Sequence, residues 1–274
     1  MKLWDYHIHL ENGPFTMEWL KKFIDKGFGE GLAEIGISEH GYRFRQAEKL
    51  LDSPGKRREW AASLCTEDLE DYLSLIQKAK DEGYMIKLGI EMDYVPEHEE
   101  EIREFVESYR WDYVLGSVHW IDEWGFDIPE MKEEWDRRDV YEVYLRYFSD
   151  LKKAVHSGIF DIIAHPDVIK VFGFIPKKDI KDMYYDIADA VKQKGLCLEV
   201  STAGLRKPVR EMYPSEEFLK ICSQQRIPII INSDAHTPED VGRDFEKAYN
   251  YAKRCGCTII SRFKERKRYD LPLK

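Results

Sequence analysis

Three things are scarce in this 274-residue sequence, and each scarcity removes a class of protein. Long hydrophobic runs are missing: no stretch approaches the ~20 apolar residues that a membrane-spanning helix needs, so no membrane partner is expected. Cysteines number five (Cys65, Cys197, Cys222, Cys255 and Cys257), an odd and scattered set. Cys255-Gly256-Cys257 does not have the spacing of a zinc knuckle, so free buried thiols in a reducing, cytoplasmic setting are expected. Positive charge is short as well, with 42 Lys and Arg against 52 Asp and Glu and a net charge of −10. Non-specific nucleic-acid binding needs a basic face to neutralise phosphates, so no nucleic-acid partner is expected. The start, Met1-Lys2-Leu3-Trp4, has neither the charged flank nor the apolar core of a secretory leader. No linker interrupts residues 1–274, which therefore read as one domain.

What recurs is an apolar run of strand length that ends in a histidine or a carboxylate. Leu3–His9 ends in His7-Ile8-His9, and in a strand residues i and i+2 point to the same side, so both imidazoles can meet one ion. Glu34–Ser38 runs into Glu39-His40, Met85–Ile90 into Glu91-Met92-Asp93, and Tyr113–Val118 into His119. Ile162–Ala164 runs into His165-Pro166-Asp167, and Ile229–Ile231 into Asn232-Ser233-Asp234-Ala235-His236. Leu196–Val200 is followed by Ser201 to Pro208.

Helical patterns separate these runs: residues 16–26 with Thr16 as N-cap, 66–82 closed by Gly83, a helix after Pro96, and 140–157. Others cover 178–194 before Gly195, 215–225, and 238–256. Residues 41–66, including Ser53-Pro54-Gly55, and the stretch after Trp120 read as long loops, and the basic tail 261–274 as a surface segment. Seven strand-then-helix units give an α/β fold with a mostly parallel sheet. A doubly wound sheet gathers its site at one switch point, whereas here every strand end carries a candidate. A (β/α)7 barrel is the expectation.

Six of the eight histidines fall at strand ends: His7, His9, His40, His119, His165 and His236. One such residue is more often a hydrogen-bonded core histidine than a ligand. Six at equivalent positions, joined by Glu91 and Asp234, are better explained by a shared metal cluster. His98, in an acidic helix start, and His156, in a last helical turn, read as structural. Imidazole and carboxylate without thiolate suit zinc, manganese or iron, and the ligands are too many for one ion. Two or three divalent ions are expected, with Glu91 as the candidate bridge.

The series Asp5-Tyr-His-Ile-His9, Ser38-Glu-His40, Gly89-Ile-Glu91, Ser117-Val-His119, Ala164-His165-Pro166 and Ser233-Asp-Ala-His236 resembles the motifs of the PHP family of metal-dependent phosphoesterases. The resemblance spans residues 1 to about 240 and implies a distorted seven-unit, TIM-like barrel. Within the family the chain is most similar to bacterial monofunctional histidinol-phosphate phosphatases, in length and in the segment Ser201–Lys207. The resemblance places His7, His9, Glu91 and Asp234 on one metal, Glu91, His119 and His165 on a second, and His40 with His236 on a third. Glu91, Asp234 and His236 are then the expected catalytic residues. The family has a further ligand soon after His-x-His, for which Glu11 is the nearest carboxylate and Glu18 the next.

Arg206, past the sixth strand, is a candidate phosphate clamp, as are Arg43 and Arg45 beyond His40; for the latter two a solvated loop charge is an equal alternative. Tyr42, Phe44, Trp120 and Trp124 offer walls for a small planar group, or packing beneath the loops. The resemblance thus implies hydrolysis of a small phosphate monoester, foremost L-histidinol phosphate in histidine biosynthesis, by a metal-bridging hydroxide. The alternatives are another small-molecule phosphatase, a PHP-type phosphodiesterase or nuclease, and a metal-stabilised scaffold without activity.

Overall fold

The described residues are 3–51 and 55–274 of a computed structural model; Met1, Lys2, and Asp52, Ser53 and Pro54 of the long loop lie outside them. Eleven strands are formed among them: β1 (Trp4–Asp5), β2 (Glu34–Ile37), β3 (Ile86–Asp93), β4 (Tyr113–Ser117), β5 (Trp120–Ile121), β6 (Trp124–Gly125), β7 (Ile162–Ile163), β8 (Cys197–Ser201), β9 (Ile229–Asn232), β10 (Ile259–Lys264) and β11 (Lys267–Pro272). The α-helices are α1 (Met17–Gly29), α2 (Lys56–Leu64), α3 (Leu69–Asp81), α4 (Glu99–Glu107), α5 (Val140–Ser157), α6 (Lys181–Lys194), α7 (Glu216–Gln224) and α8 (Phe245–Arg254).

Nine strands make one sheet in the order β1-β2-β3-β4-β7-β8-β9-β10-β11. Every pairing from β1 to β10 is parallel, and β11 returns antiparallel to β10. Strands covered on both faces read as continuous apolar runs, which is why β7 is a buried Ile-Ile pair and β9 three buried isoleucines before Asn232. The crossover helices lay their apolar faces on the sheet: α1 buries Leu20, Phe23 and Ile24 behind a Thr16 cap that accepts from the Trp19 amide. Helix α5 starts at Asp139, which accepts from Tyr141 and Glu142, and stops at Gly158, whose φ of 72° suits glycine.

The closed seven-unit barrel is not formed as a continuous ladder. One edge of β9 pairs with β8 and the other, at Ile229, with Ile260 of the β10–β11 hairpin, so no ladder joins β1 to β9, and the chain after β1 pairs with the segment beyond β9. There Ile8 bridges Ala235 in parallel; the His9 amide donates to the Ala235 carbonyl at 2.8 Å and the Ala235 amide to the His7 carbonyl at 3.0 Å. Asp5 ties the same junction, accepting from the Ser233 and Gly242 amides at 3.0 Å each. The fold is thus α/β on a mainly parallel sheet, with one bridge joining the segments that follow β1 and β9.

Three segments differ from expectation. The loop 41–66 holds two short 3-10 turns and α2, which has no apolar stripe and buries only Arg57 and Ala61. It is held from outside: Arg57 donates to the Asp122 carbonyl at 3.0 Å. The second loop contains the β5–β6 hairpin. The basic tail forms β10 and β11: β11 lies at the surface as expected, whereas in β10 Ser261 and Phe263 point inward while Arg262 and Lys264 point out, an alternation that the charge count concealed.

Candidate metal centre

Because the strands are parallel, their carboxyl ends share one side of the sheet, and the candidate ligands collect there. Glu91, the sixth residue of β3, is fully buried at the middle of the group. Its Oε2 lies 2.9 Å from His40 Nδ1, 3.1 Å from His7 Nε2 and 3.5 Å from His9 Nε2. Its Oε1 lies 3.0 Å from His165 Nε2 and 3.8 Å from His119 Nε2. One carboxylate therefore faces two sets of imidazoles, one per oxygen. Asp234 Oδ1 stands 3.4 Å from His9 Nε2 and 3.6 Å from both His7 Nε2 and His236 Nδ1. His236 Nε2 in turn is 3.4 Å from Glu11 Oε1, whereas Glu18 is exposed in the first turn of α1.

Four overlapping groups each bring one ligand atom per residue within 4.8 Å of the others: His7, His9 and Glu91; Glu91, His119 and His165; His9, His40 and His236; and His7, His165 and Asp234. Both ring nitrogens of His9 are buried without a hydrogen-bond partner, as is Nδ1 of His165. Buried polar atoms are otherwise paired, so orphaned imidazole nitrogens facing carboxylates suit a divalent cation. The donor set fits more than one such ion.

The electrostatics agree. Burial works against charge on Glu91, yet His7 and His40 hold its carboxyl well below the usual range. Burial opposes Asp234 in the same way, and His7, His9 and His236 hold it well below. His9 is driven well below the ordinary histidine value by burial and by its neighbour His40, which keeps the ring neutral and able to bind a metal.

A cavity of about 350 Å³ opens over this centre, with His40, His119, Asp234 and His236 at its floor. Tyr42, Trp60 and Trp120 wall it, and Asp127, Lys207 and Tyr213 also line it. Trp124 and Phe44 do not; Phe44 is buried in the core and Trp124 donates to the Met131 carbonyl. Nor do the candidate arginines form its lining. Arg43 is buried, pairs with Glu39 at 2.6 Å and sits over the Phe15 ring. Arg45 is exposed and held by the Thr66 carbonyl and Asp68. Arg206 spends Nη2 on the Ser233 and Asp234 carbonyls, pairs through Nε with Asp240 at 3.3 Å, and makes a 3.4 Å contact from Nη1 to Thr202.

Several site residues carry no role in the sequence reading. Asp93 accepts from His119 Nδ1 at 2.6 Å, and Glu199 Oε1 lies 2.8 Å from His7 Nδ1. Both had a signal: Asp93 is two residues past Glu91 and so on the same side of the strand, and Glu199 is a lone charge inside an apolar strand. Asp127 and Trp60 had none, since both lie in stretches without apolar periodicity.

The sequence profile described as the PHP domain matches residues 5–203, most of the chain. The chain belongs to the PHP family. The PHP match ends before Asp234 and His236, which the fold adds to the same cluster. A protein of Deinococcus radiodurans named a probable histidinol-phosphatase is 31% identical over 97% of this chain and 98% of its own. The histidinol-phosphatase of Bacillus subtilis is 25% identical over 92% of this chain and 98% of its own. The crystal structure of histidinol phosphate phosphatase from Lactococcus lactis, complexed with zinc, L-histidinol and phosphate, superposes with a TM-score of 0.73 at 22% identity, covering 98% of this chain and 99% of that one. At that identity the likeness concerns the fold. Among the described residues no helix is long and apolar enough to cross a membrane.

Proposed function

We propose that this PHP protein hydrolyses L-histidinol phosphate to L-histidinol and phosphate, as a metal-dependent phosphomonoesterase of histidine biosynthesis working in the cytoplasm. The observation that carries the reading is the end-to-end likeness to the Deinococcus protein over an intact ligand cluster centred on Glu91. We take the chain as one domain, a distorted seven-unit barrel whose seam is the Ile8–Ala235 bridge.

Two or three ions of zinc, manganese or iron are the expected cofactors. His7, His9, Glu91 and Asp234 would hold one, Glu91, His119 and His165 a second, and His40 and His236, with Glu11, a third. When bound, such ions make water acidic enough to serve as a nucleophile near neutral pH and offset the charge of the phosphate. The chain's own side chains do the rest. Lys207, at the cavity wall, would bring positive charge to the phosphate; Arg206, outside the lining, would add its charge from behind the Ser233 and Asp234 backbone that it holds. Tyr42, Trp60 and Trp120 form an aromatic wall suited to an imidazole ring and keep bulk water from the leaving group. Arg43 and Arg45 would act at most through the loops that they brace.

The alternative, a PHP-type phosphodiesterase or nuclease, finds less support, because the chain is acidic and its cavity is small and walled by aromatics. The test is phosphate release by zinc- or manganese-reconstituted protein from L-histidinol phosphate, from p-nitrophenyl phosphate and from a dinucleotide. Turnover of histidinol phosphate at least about 100-fold more efficient than the others is expected; preference for the dinucleotide would overturn the assignment.

A further inference from the structure

Strand β8 contributes no residue to the four ligand groups, yet it places one charged side chain, Glu199, fully buried beneath them. Three donors converge on that carboxylate. His7 Nδ1 lies 2.8 Å from Oε1, the Asn232 side-chain amide donates to Oε1 at 2.7 Å, and the His165 backbone amide donates to Oε2 at 2.6 Å. The orientation of Asn232 is itself fixed, because its Oδ1 accepts from the Tyr6 backbone amide at 2.9 Å, which turns its NH₂ toward Glu199.

We propose that Glu199 is a positioning residue that sets the tautomer of His7 and thereby prepares its Nε2 to bind metal. The Asn232 amide donates to Oε1 and the His165 amide to Oε2, so Glu199 acts as the acceptor on both oxygens and His7 Nδ1 carries the hydrogen between them. Nε2 is then the nitrogen that faces Glu91 Oε2, 3.1 Å away, and Asp234 Oδ1, 3.6 Å away, and its lone pair would be the one offered to a cation bound among them. By holding the His165 amide as well, Glu199 sets the backbone of a ligand on the neighbouring strand end. Carboxylates behind metal-binding histidines commonly fix ring orientation and raise ligand basicity. The same geometry recurs on the opposite side of Glu91, where Asp93 takes His119 Nδ1 and leaves Nε2 toward the centre.

The replacement Glu199→Gln has a definite consequence. A glutamine has the same shape but one acceptor oxygen, and its NH₂ must meet one of the three donors. Facing His165 it opposes an N–H; facing His7 it favours the Nε2–H tautomer, whose metal-facing nitrogen is then protonated. Either arrangement weakens the centre.

This inference rests on the metal-centre part of the proposed function and not on its substrate, so it is tested by metal binding. Zinc content after dialysis and zinc affinity by chelator competition would be measured on wild-type and Glu199→Gln protein, with ¹H–¹⁵N spectra of the histidine side chains. About 10- to 100-fold weaker zinc binding in the variant, with loss of the slowly exchanging Nδ1–H of His7, is expected. Equal affinity and an unchanged histidine spectrum would overturn the role of Glu199, while a wild-type protein that binds no zinc would remove the metal centre and the proposed function with it. Should Glu199→Gln not fold, Glu199→Asp, which withdraws the carboxylate by one methylene, is expected to weaken zinc binding too; wild-type affinity there also overturns the proposal.

Discussion

Arg206 donates from Nη2 to the carbonyl oxygen of Asp234 at 3.1 Å and to that of Ser233 at 2.6 Å. The guanidinium that the sequence offers as a phosphate clamp thus also grips the backbone of the segment that carries the candidate ligand Asp234, a residue whose φ is 52°. A non-glycine residue held in that region needs its surroundings to keep it there.

Replacing this arginine therefore tests two roles at once. Arg206→Ala is expected to lower kcat/KM by about 2–4 kcal/mol, or roughly 30- to 1,000-fold, and to reduce bound metal. Full metal content with lost activity would confine Arg206 to the substrate. Metal loss with unaltered inhibition by inorganic phosphate would confine it to bracing Asp234.

Glu91→Gln keeps the volume of the central side chain and removes the charge that five histidines share. Turnover should fall by at least about 100-fold and metal content should drop, because both oxygens serve the cluster. In the unaltered protein, chelation should lower the melting temperature, since free metal at about 1,000 times its Kd stabilises by about 4 kcal/mol. A melting point indifferent to chelator would count against the cluster.

The metal-free protein should lose stability as pH rises. Burial opposes charge on His119, but Asp93, Asp127 and Glu91 outweigh it and push the imidazole up to about 10 from its ordinary 6.5. The folded state thus holds this proton more tightly than the unfolded state. The stabilisation is fully present below pH 6.5 and is lost as pH rises through about 10. Melting curves in chelator between pH 6 and 10 should shift downward, and more steeply than those of His119→Ala; parallel shifts would exclude His119 as the source.

Histidines away from the centre should be dispensable. His98 and His156 belong to none of the four ligand groups, so alanine at either should leave kcat/KM within about 3-fold, as for ordinary surface changes. His119→Ala and His165→Ala should lose nearly all activity. Equal losses at all four positions would undo the assignment by strand-end placement.

Four of the five cysteines should be inert in the native protein. Burial pushes Cys197 and Cys257 up to about 12 and Cys255 up to about 11, and Cys222 is buried. Thiolate is the reactive form, so at pH 8 a thiol reagent should reach only the half-buried Cys65 of the five, with all five reacting after denaturation. Rapid reaction of two or more would show that the C-terminal part opens.

The sequence by itself determined the periodic order of strands and helices and which histidines and carboxylates collect at the candidate centre. An apolar run followed by His, Asp or Glu is a local signal, and parallel strands carry all such ends to one side whatever the details of packing. It also determined the caps at Thr16 and Gly158, where the side chain or its absence decides the local backbone. Tertiary structure alone decided the rest. Helix α2 exists because Arg57 is held by the β5–β6 turn, and nothing in its own residues marks an apolar face. Whether the sheet closed depended on which edge of β9 the last hairpin occupied, a competition between segments distant in the chain. The partners of His7, His119 and Arg206 were settled in the same way: a hydrogen bond is made to whatever donor or acceptor the fold brings within 3 Å or so, and sequence separation does not record that distance.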